Sequence, residues 1–145
     1  VAVLDLPPWA PVVQDVANHL LARTRLPNGT LAGTFTSQTT PTDAMVSAII
    51  AQTVRLHAPK MGDVPDALAD SAGALLALRA AIVVERSYFP EQIETEMSPY
   101  KGMCAELKGA EADWWQAAEG DTPNGSRTAS LPVGTLYPGY SSGTW

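Results

Sequence analysis

The stretch PDALADSAGALLALRAAIVVERSYF, Pro65 to Phe89, decides how the rest of this 145-residue sequence is read. Its apolar positions Leu68, Ala72, Leu75, Leu76, Ile82 and Val83 follow helical rather than alternating spacing. Pro65 suits a first helical turn, Asp63 is placed to cap it, and Pro90 ends or kinks it. At 1.5 Å per residue the helix is expected to be about 37 Å long. Alanines at 67, 69, 72, 74, 77, 80 and 81 let other helices approach on more than one face. Such a helix is central to its own domain, shared with a neighbouring chain, or both.

Shorter elements flank it. Val12, Val13, Val16, Leu20 and Leu21 recur at helical spacing and predict a first helix over Val12 to Ala22, with Pro11 beside its first turn. The segment 23–38 follows, rich in Thr and Gly. Its Asn28-Gly29 pair favours a tight turn, so a short β-hairpin or an extended loop is expected, ending near Phe35. Thr42 and Asp43 mark the start of a second helix, Thr42 accepting from free first-turn N–H groups. Met45, Val46, Ile49, Ile50 and Val54 form its expected inward stripe, with Ser47, Gln52 and Arg55 off it, and Pro59 and Gly62 are expected to stop it after about His57. Ser98-Pro99 opens a fourth helix carrying Met103, Leu107, Ala110 and Trp114 on one face, with Gly120 at its end. The fold class expected is mainly α: a four-helix bundle over residues 1–119, followed by an extended C-terminal arm over 120–145.

The arm is singular in composition. Its only charged residues are Asp121 and Arg127, yet it carries Leu131, Val133, Leu136, Tyr137, Tyr140 and Trp145. That is too apolar for an ordinary solvated tail, and implies a segment sheltered by another chain or a strand pair folded back on the helices.

Fifteen acidic against nine basic side chains give a formal charge of −6. Only Arg23 and Arg25 sit close together, so stable binding to a phosphate backbone is disfavoured, while a surface past which nucleic acid slides suits the charge. The longest uninterrupted apolar run, Ala80 to Val84, is far short of a membrane span, and no basic leader opens the sequence; a soluble chain is expected. Cys104 is the only cysteine, which agrees with assembly in a reducing compartment, and the sequons at Asn28 and Asn124 read as turn chemistry.

Catalytic signals are sparse. His19 and His57 lie far apart, and no HExxH, CxxC, EF-hand, GxSxG, GxGxxG or Walker pattern occurs. His19 reads as a partly buried helix residue and His57 as a polar or positive group at a helix C-terminus. Cys104 reads as core filler, and Glu91, Glu94 and Glu96 as a solvated acidic turn. No cofactor, no metal and no enzymatic activity are expected. In the pair Trp114-Trp115, the side chains point about 100° apart. Trp114 is therefore expected in the core and Trp115 at an interface, the alternative being that both cover one core.

The ordered series Ala22-Arg23-Thr24, Gly29, Gly33-Thr34-Phe35-Thr36, Thr40-Pro41-Thr42, Arg79-Ala80-Ala81, Glu85-Arg86-Ser87-Tyr88-Phe89-Pro90-Glu91-Gln92 and Ser98-Pro99-Tyr100 resembles the head-to-tail adaptor (connector) proteins of long-tailed phages infecting actinobacteria. The likeness covers roughly Val12 to Trp115. It implies a non-enzymatic virion component forming a ring of commonly twelve copies in the neck, assembled in the host cytoplasm, between portal and stopper or tail terminator, with DNA passing through without sequence-specific binding and no membrane involved. The resemblance further implies that Leu131, Val133, Leu136, Tyr137, Tyr140 and Trp145 contact the portal. Leu26, Asn28, Gly29, Leu31 and Phe35 would then face a neighbouring copy or the stopper, with Trp115, Arg79 and Arg86 at the subunit interface. A small helical regulator binding a cellular protein through the arm is the alternative.

Overall fold

The structure, a computed structural model, describes residues 6–120; the arm residues from Asp121 onward, among them all six expected portal contacts, lie outside the described residues. Of the described residues, 64% are helical and none forms a strand. Four α-helices follow one another: α1 (Val13–Ala17), α2 (Asp43–Met61), α3 (Ala69–Tyr88) and α4 (Tyr100–Gly120), with short 3-10 turns at Leu21–Arg23, Asp66–Leu68 and Pro90–Gln92. The chain divides into two compact units, one ending at Glu111 and one beginning at Ala112, so the division falls within α4 rather than at Gly120.

In the first unit α3 is the central helix, with α2 and α1 packed against it. Eleven of its residues are buried, including Ala72, Leu75, Leu76, Ala80, Ala81 and Val84. Four of its alanines, Ala72, Ala77, Ala80 and Ala81, serve internal packing, while Ala74 is exposed. By length and composition the segment Asp66–Tyr88 could cross a membrane, with mean hydropathy 1.8 over its best window, because counting only the uninterrupted run Ala80–Val84 misses the apolar turns before Arg79. With 56% of that window buried inside the protein, it serves as a core helix.

Several boundaries differ from expectation for local reasons. The first helix spans five residues, not eleven: the His19 and Leu20 N–H groups donate to Val16 and Ala17, tightening the chain out of the α-helix. Asn18, whose side chain accepts from Gln14, is a poor helix-interior residue at that point. At the start of α1 the Val12 N–H donates to Asp15. Thr42 does cap α2, its hydroxyl accepting from the Met45 N–H at 3.3 Å. The helix runs past His57 to Met61 with Pro59 inside it, since a proline so near the end forfeits one intrahelical bond. Gly62 then terminates it at φ 66°, a left-handed value that favours glycine. Asp63 does not cap the third helix, which begins with the 3-10 turn after Pro65, without a side-chain cap. Met45 is 48% exposed and therefore outside the α2 core stripe, which consists of Val46, Ile50, Ala51, Thr53, Val54 and Met61.

Segment 24–42 is organised by threonine hydroxyls. The buried Thr24 hydroxyl donates to the Leu21 carbonyl at 2.7 Å and accepts from the Gly33 N–H. Thr39 Oγ1, also buried, accepts from the Thr36 N–H and lies 2.8 Å from the Pro41 carbonyl, just after the cis Thr40-Pro41 bond. Around Asn28-Gly29 the chain reverses, closed by one antiparallel bridge between Arg25 and Leu31, with Gly29 at φ 92°.

Candidate functional site

The densest polar constellation in the first unit sits where the turn after α1, the end of α3 and the entry to α4 meet. Glu85 lies on α3 among apolar residues and has no exposed surface. A carboxylate so placed is tolerable only if its oxygens are fully engaged. Three donors engage them: Arg23 Nε to Oε1 at 3.0 Å, Arg23 Nη2 to Oε2 at 2.5 Å, and the Ser98 hydroxyl to Oε2 at 2.7 Å. The guanidinium also lies over the Phe89 ring, 4.0 Å from its centroid. A planar fork that stacks on one side and bonds bidentately at its edge is arginine chemistry that lysine does not reproduce.

Ser98 does two jobs, since its Oγ also accepts from the Tyr100 N–H at 3.2 Å at the start of α4. The expected cap is thus present and is itself anchored to Glu85. Arg23, Glu85, Phe89 and Ser98 belong to three motifs of the resembling series, the first of them far from the other two in sequence, and the structure gathers them into one contact. Glu85 had no role assigned from the sequence. The available signal was a carboxylate in phase with the apolar positions of α3, together with the Arg23-Arg25 pair.

This cluster ties segments together. Both Glu85 oxygens are occupied and no solvent reaches them, so no substrate can meet the carboxylate. Among the described residues no group of three His, Cys, Asp or Glu could hold a metal ion. Cys104 is half-buried, and the carboxylates of Glu91, Glu94 and Glu96 are exposed.

The remaining expected site residues are scattered. In the loop, Asn28, Gly29 and Leu31 are exposed and Leu26 is half-buried. Phe35 corrects the expectation that it faces a neighbour: at 2% exposure its ring belongs to this chain's own core, because burying an aromatic ring outweighs presenting it to solvent. Arg79 is occupied within the chain by Glu111 on α4, and burial holds its guanidinium below the usual range. Arg86 is exposed. In the second unit Trp114 is buried and Trp115 is 39% exposed, the two rings meeting edge to face with centroids 5.0 Å apart. His57, within α2 rather than at its end, is held below its ordinary pKa by burial, then by Arg79 and Lys60, so it is neutral rather than positive at neutral pH. His19 is half-buried but lies beyond the end of α1.

Two cavities flank the N-terminal segment. One of about 400 Å³ lies between Trp9, Asp15, His19, Asp70 and Gly73; the other, about 560 Å³, lies between Leu6, Trp9, Val54, Ala58 and Val64. Neither presents a nucleophile paired with a base. No protein-family model, curated protein or solved structure matches the chain.

Proposed function

We propose that this chain is a structural head-to-tail adaptor of a tailed bacteriophage, without enzymatic activity. In this reading it forms a ring in the virion neck between the portal and the stopper or tail terminator, and DNA travels through the ring. The observation that carries the reading is the ordered motif series. Its support is physical as well as textual: Arg23, Glu85, Phe89 and Ser98 come from three of those motifs and meet in one buried contact, as expected of a series selected together.

Two sequence features favour the same assignment. A chain of formal charge −6 lines a channel without retaining DNA. The stretch 120–145, almost uncharged and carrying Leu131, Val133, Leu136, Tyr137, Tyr140 and Trp145, has the composition of a segment sheltered by a larger partner.

The test is capture by purified portal rings. The full chain is expected to bind, and a chain truncated after Glu119 to lose that binding. A full chain that leaves portal uncaptured, or a truncated one that binds equally well, refutes the assignment of the arm. Absence of the chain from purified virions refutes the adaptor reading as a whole.

A further inference from the structure

An asparagine followed by glycine is a poorly protected amide, because its carboxamide carbon lies within reach of a main-chain nitrogen that no side chain screens. The turn between Arg25 and Leu31 is built around such a pair. Asn28 and Gly29 are both exposed, and Asn28 Oδ1 accepts twice from one neighbour, from the Thr30 N–H at 3.0 Å and from the Thr30 hydroxyl at 2.7 Å. A backbone N–H can only donate, so the oxygen of the carboxamide, not its nitrogen, faces Thr30. The ring that this contact closes runs through the Asn28–Gly29 peptide, which folds the carboxamide back toward the Gly29 nitrogen. There is room for it: a β-carbon built on Gly29 would meet nothing within 4 Å. The turn itself is held by the Gly29 N–H donating to the Leu26 carbonyl at 2.8 Å and by Arg25 Nη1 donating to the Gly29 carbonyl at 2.6 Å.

We propose that Asn28 is a site of self-modification, which deamidates through a cyclic imide in the folded chain with assistance from Thr30. Once the Gly29 N–H swings off the Leu26 carbonyl, hydroxide removes its proton. The nitrogen forms a bond to Asn28 Cγ, and the carbonyl electron pair moves onto Oδ1. The charge that develops there is met by the two Thr30 donors, which are already at hydrogen-bond distance from that atom. Collapse of the intermediate breaks the Cγ–Nδ2 bond and, with a proton from water, releases ammonia. Water then opens the imide at either carbonyl to leave aspartate or isoaspartate. The sum is a carboxamide and a water converted to a carboxylic acid and an ammonia.

The two products differ in what they do to the turn. Aspartate keeps the main chain and accepts from Thr30 as a charged group, more strongly than the carboxamide does. Isoaspartate routes the main chain through Cβ and so inserts an extra carbon before Gly29. The Arg25–Leu31 bridge and the bond from the Leu26 N–H to the Thr30 carbonyl then lose their register. Either product adds a negative charge to a chain of formal charge −6. The reaction does not depend on the adaptor reading, and it belongs to the chain before any partner covers this turn.

The test incubates the full chain at mildly alkaline pH, digests it with trypsin and follows fragment 26–55, in which Asn28 is the only asparagine, by mass and by isoaspartate content. The parent is expected to accumulate both acids in this fragment, faster as pH rises. Thr30→Val keeps the backbone N–H and the branching but removes the hydroxyl. It is expected to react roughly two- to tenfold more slowly, the rate equivalent of one net hydrogen bond. Thr30→Ser is expected to restore the parental rate, and in denaturant, where the turn is lost, all three chains are expected to react alike. An Asn28 that stays intact in the folded parent overturns the proposal. So does a Thr30→Val chain that reacts as fast as the parent, a Thr30→Ser chain as slow as Thr30→Val, or a Thr30→Val deficit that persists in denaturant.

Discussion

The backbone carbonyl of Trp9 occupies the space that a β-carbon on residue 73 would need: built on Gly73, that carbon would lie 2.4 Å from the Trp9 oxygen. The N-terminal segment crosses α3 at this point, and glycine is what lets it pass so close. Gly73→Ala must push a stretch of backbone away, not a flexible side chain. It is expected to destabilise the fold by about 1–3 kcal/mol, read as a lowered denaturant midpoint at unchanged slope.

Gly109→Ala is the contrasting case. Nothing in the chain opposes a β-carbon there, so the change is expected to raise folding stability by up to about 1 kcal/mol. Thermal melting checks the sign.

Removing Arg23 strands a buried carboxylate. Arg23→Ala is expected to cost about 3–5 kcal/mol, the usual penalty for breaking one side of a buried ion pair. Arg23→Lys keeps the charge but loses the fork and the stack on Phe89, and should remain clearly destabilised. Arg23→Met combined with Glu85→Leu should recover much of the loss. Equilibrium denaturation of the three variants checks the order; an Arg23→Lys chain as stable as the parent contradicts the bidentate reading.

Thr39→Val keeps shape but removes the hydroxyl that accepts from the Thr36 N–H. A buried donor left without a partner costs about 1–3 kcal/mol, and the half-buried Thr36 N–H should fall at the low end of that range. Amide exchange at Thr36 should accelerate, while exchange in the centre of α3 changes only as far as global stability does.

His57 makes stability depend on pH with a definite sign. Its folded pKa lies below the ordinary value of about 6.5, so the unfolded chain takes up the proton first. Above that pH both states are neutral at this group and it contributes nothing to the slope; as pH falls below it, stability is lost. The melting-temperature difference between the parent and His57→Gln is therefore expected to be constant above about pH 7.5 and to shift in favour of the variant toward pH 5.5. A difference that stays flat across this range would contradict the burial of the ring.

The site was only partly legible in the sequence. Arg23, Glu85, Phe89 and Ser98 could each be seen within a motif, but their meeting could not, because it joins residues as distant in sequence as Arg23 and Ser98 through the relative placement of three elements. Phe35 was misread because an aromatic in a Thr- and Gly-rich loop has no periodicity to say which way it turns. Met45 was misplaced because two apolar stripes run side by side along α2, and spacing alone does not say which one faces inward.

Local rules were enough to establish from sequence that the chain is mainly helical, where α2 begins, and that α4 opens just after Ser98-Pro99. Periodicity, capping hydroxyls and glycine's access to positive φ act within a few residues and need no partner. Tertiary structure alone decided that α3 is the centre, that Glu85 is sealed inside with three donors, that position 73 admits no side chain, and which α2 stripe is left to solvent. Those outcomes depend on which surfaces meet, and burial and desolvation energies exist only once they have met.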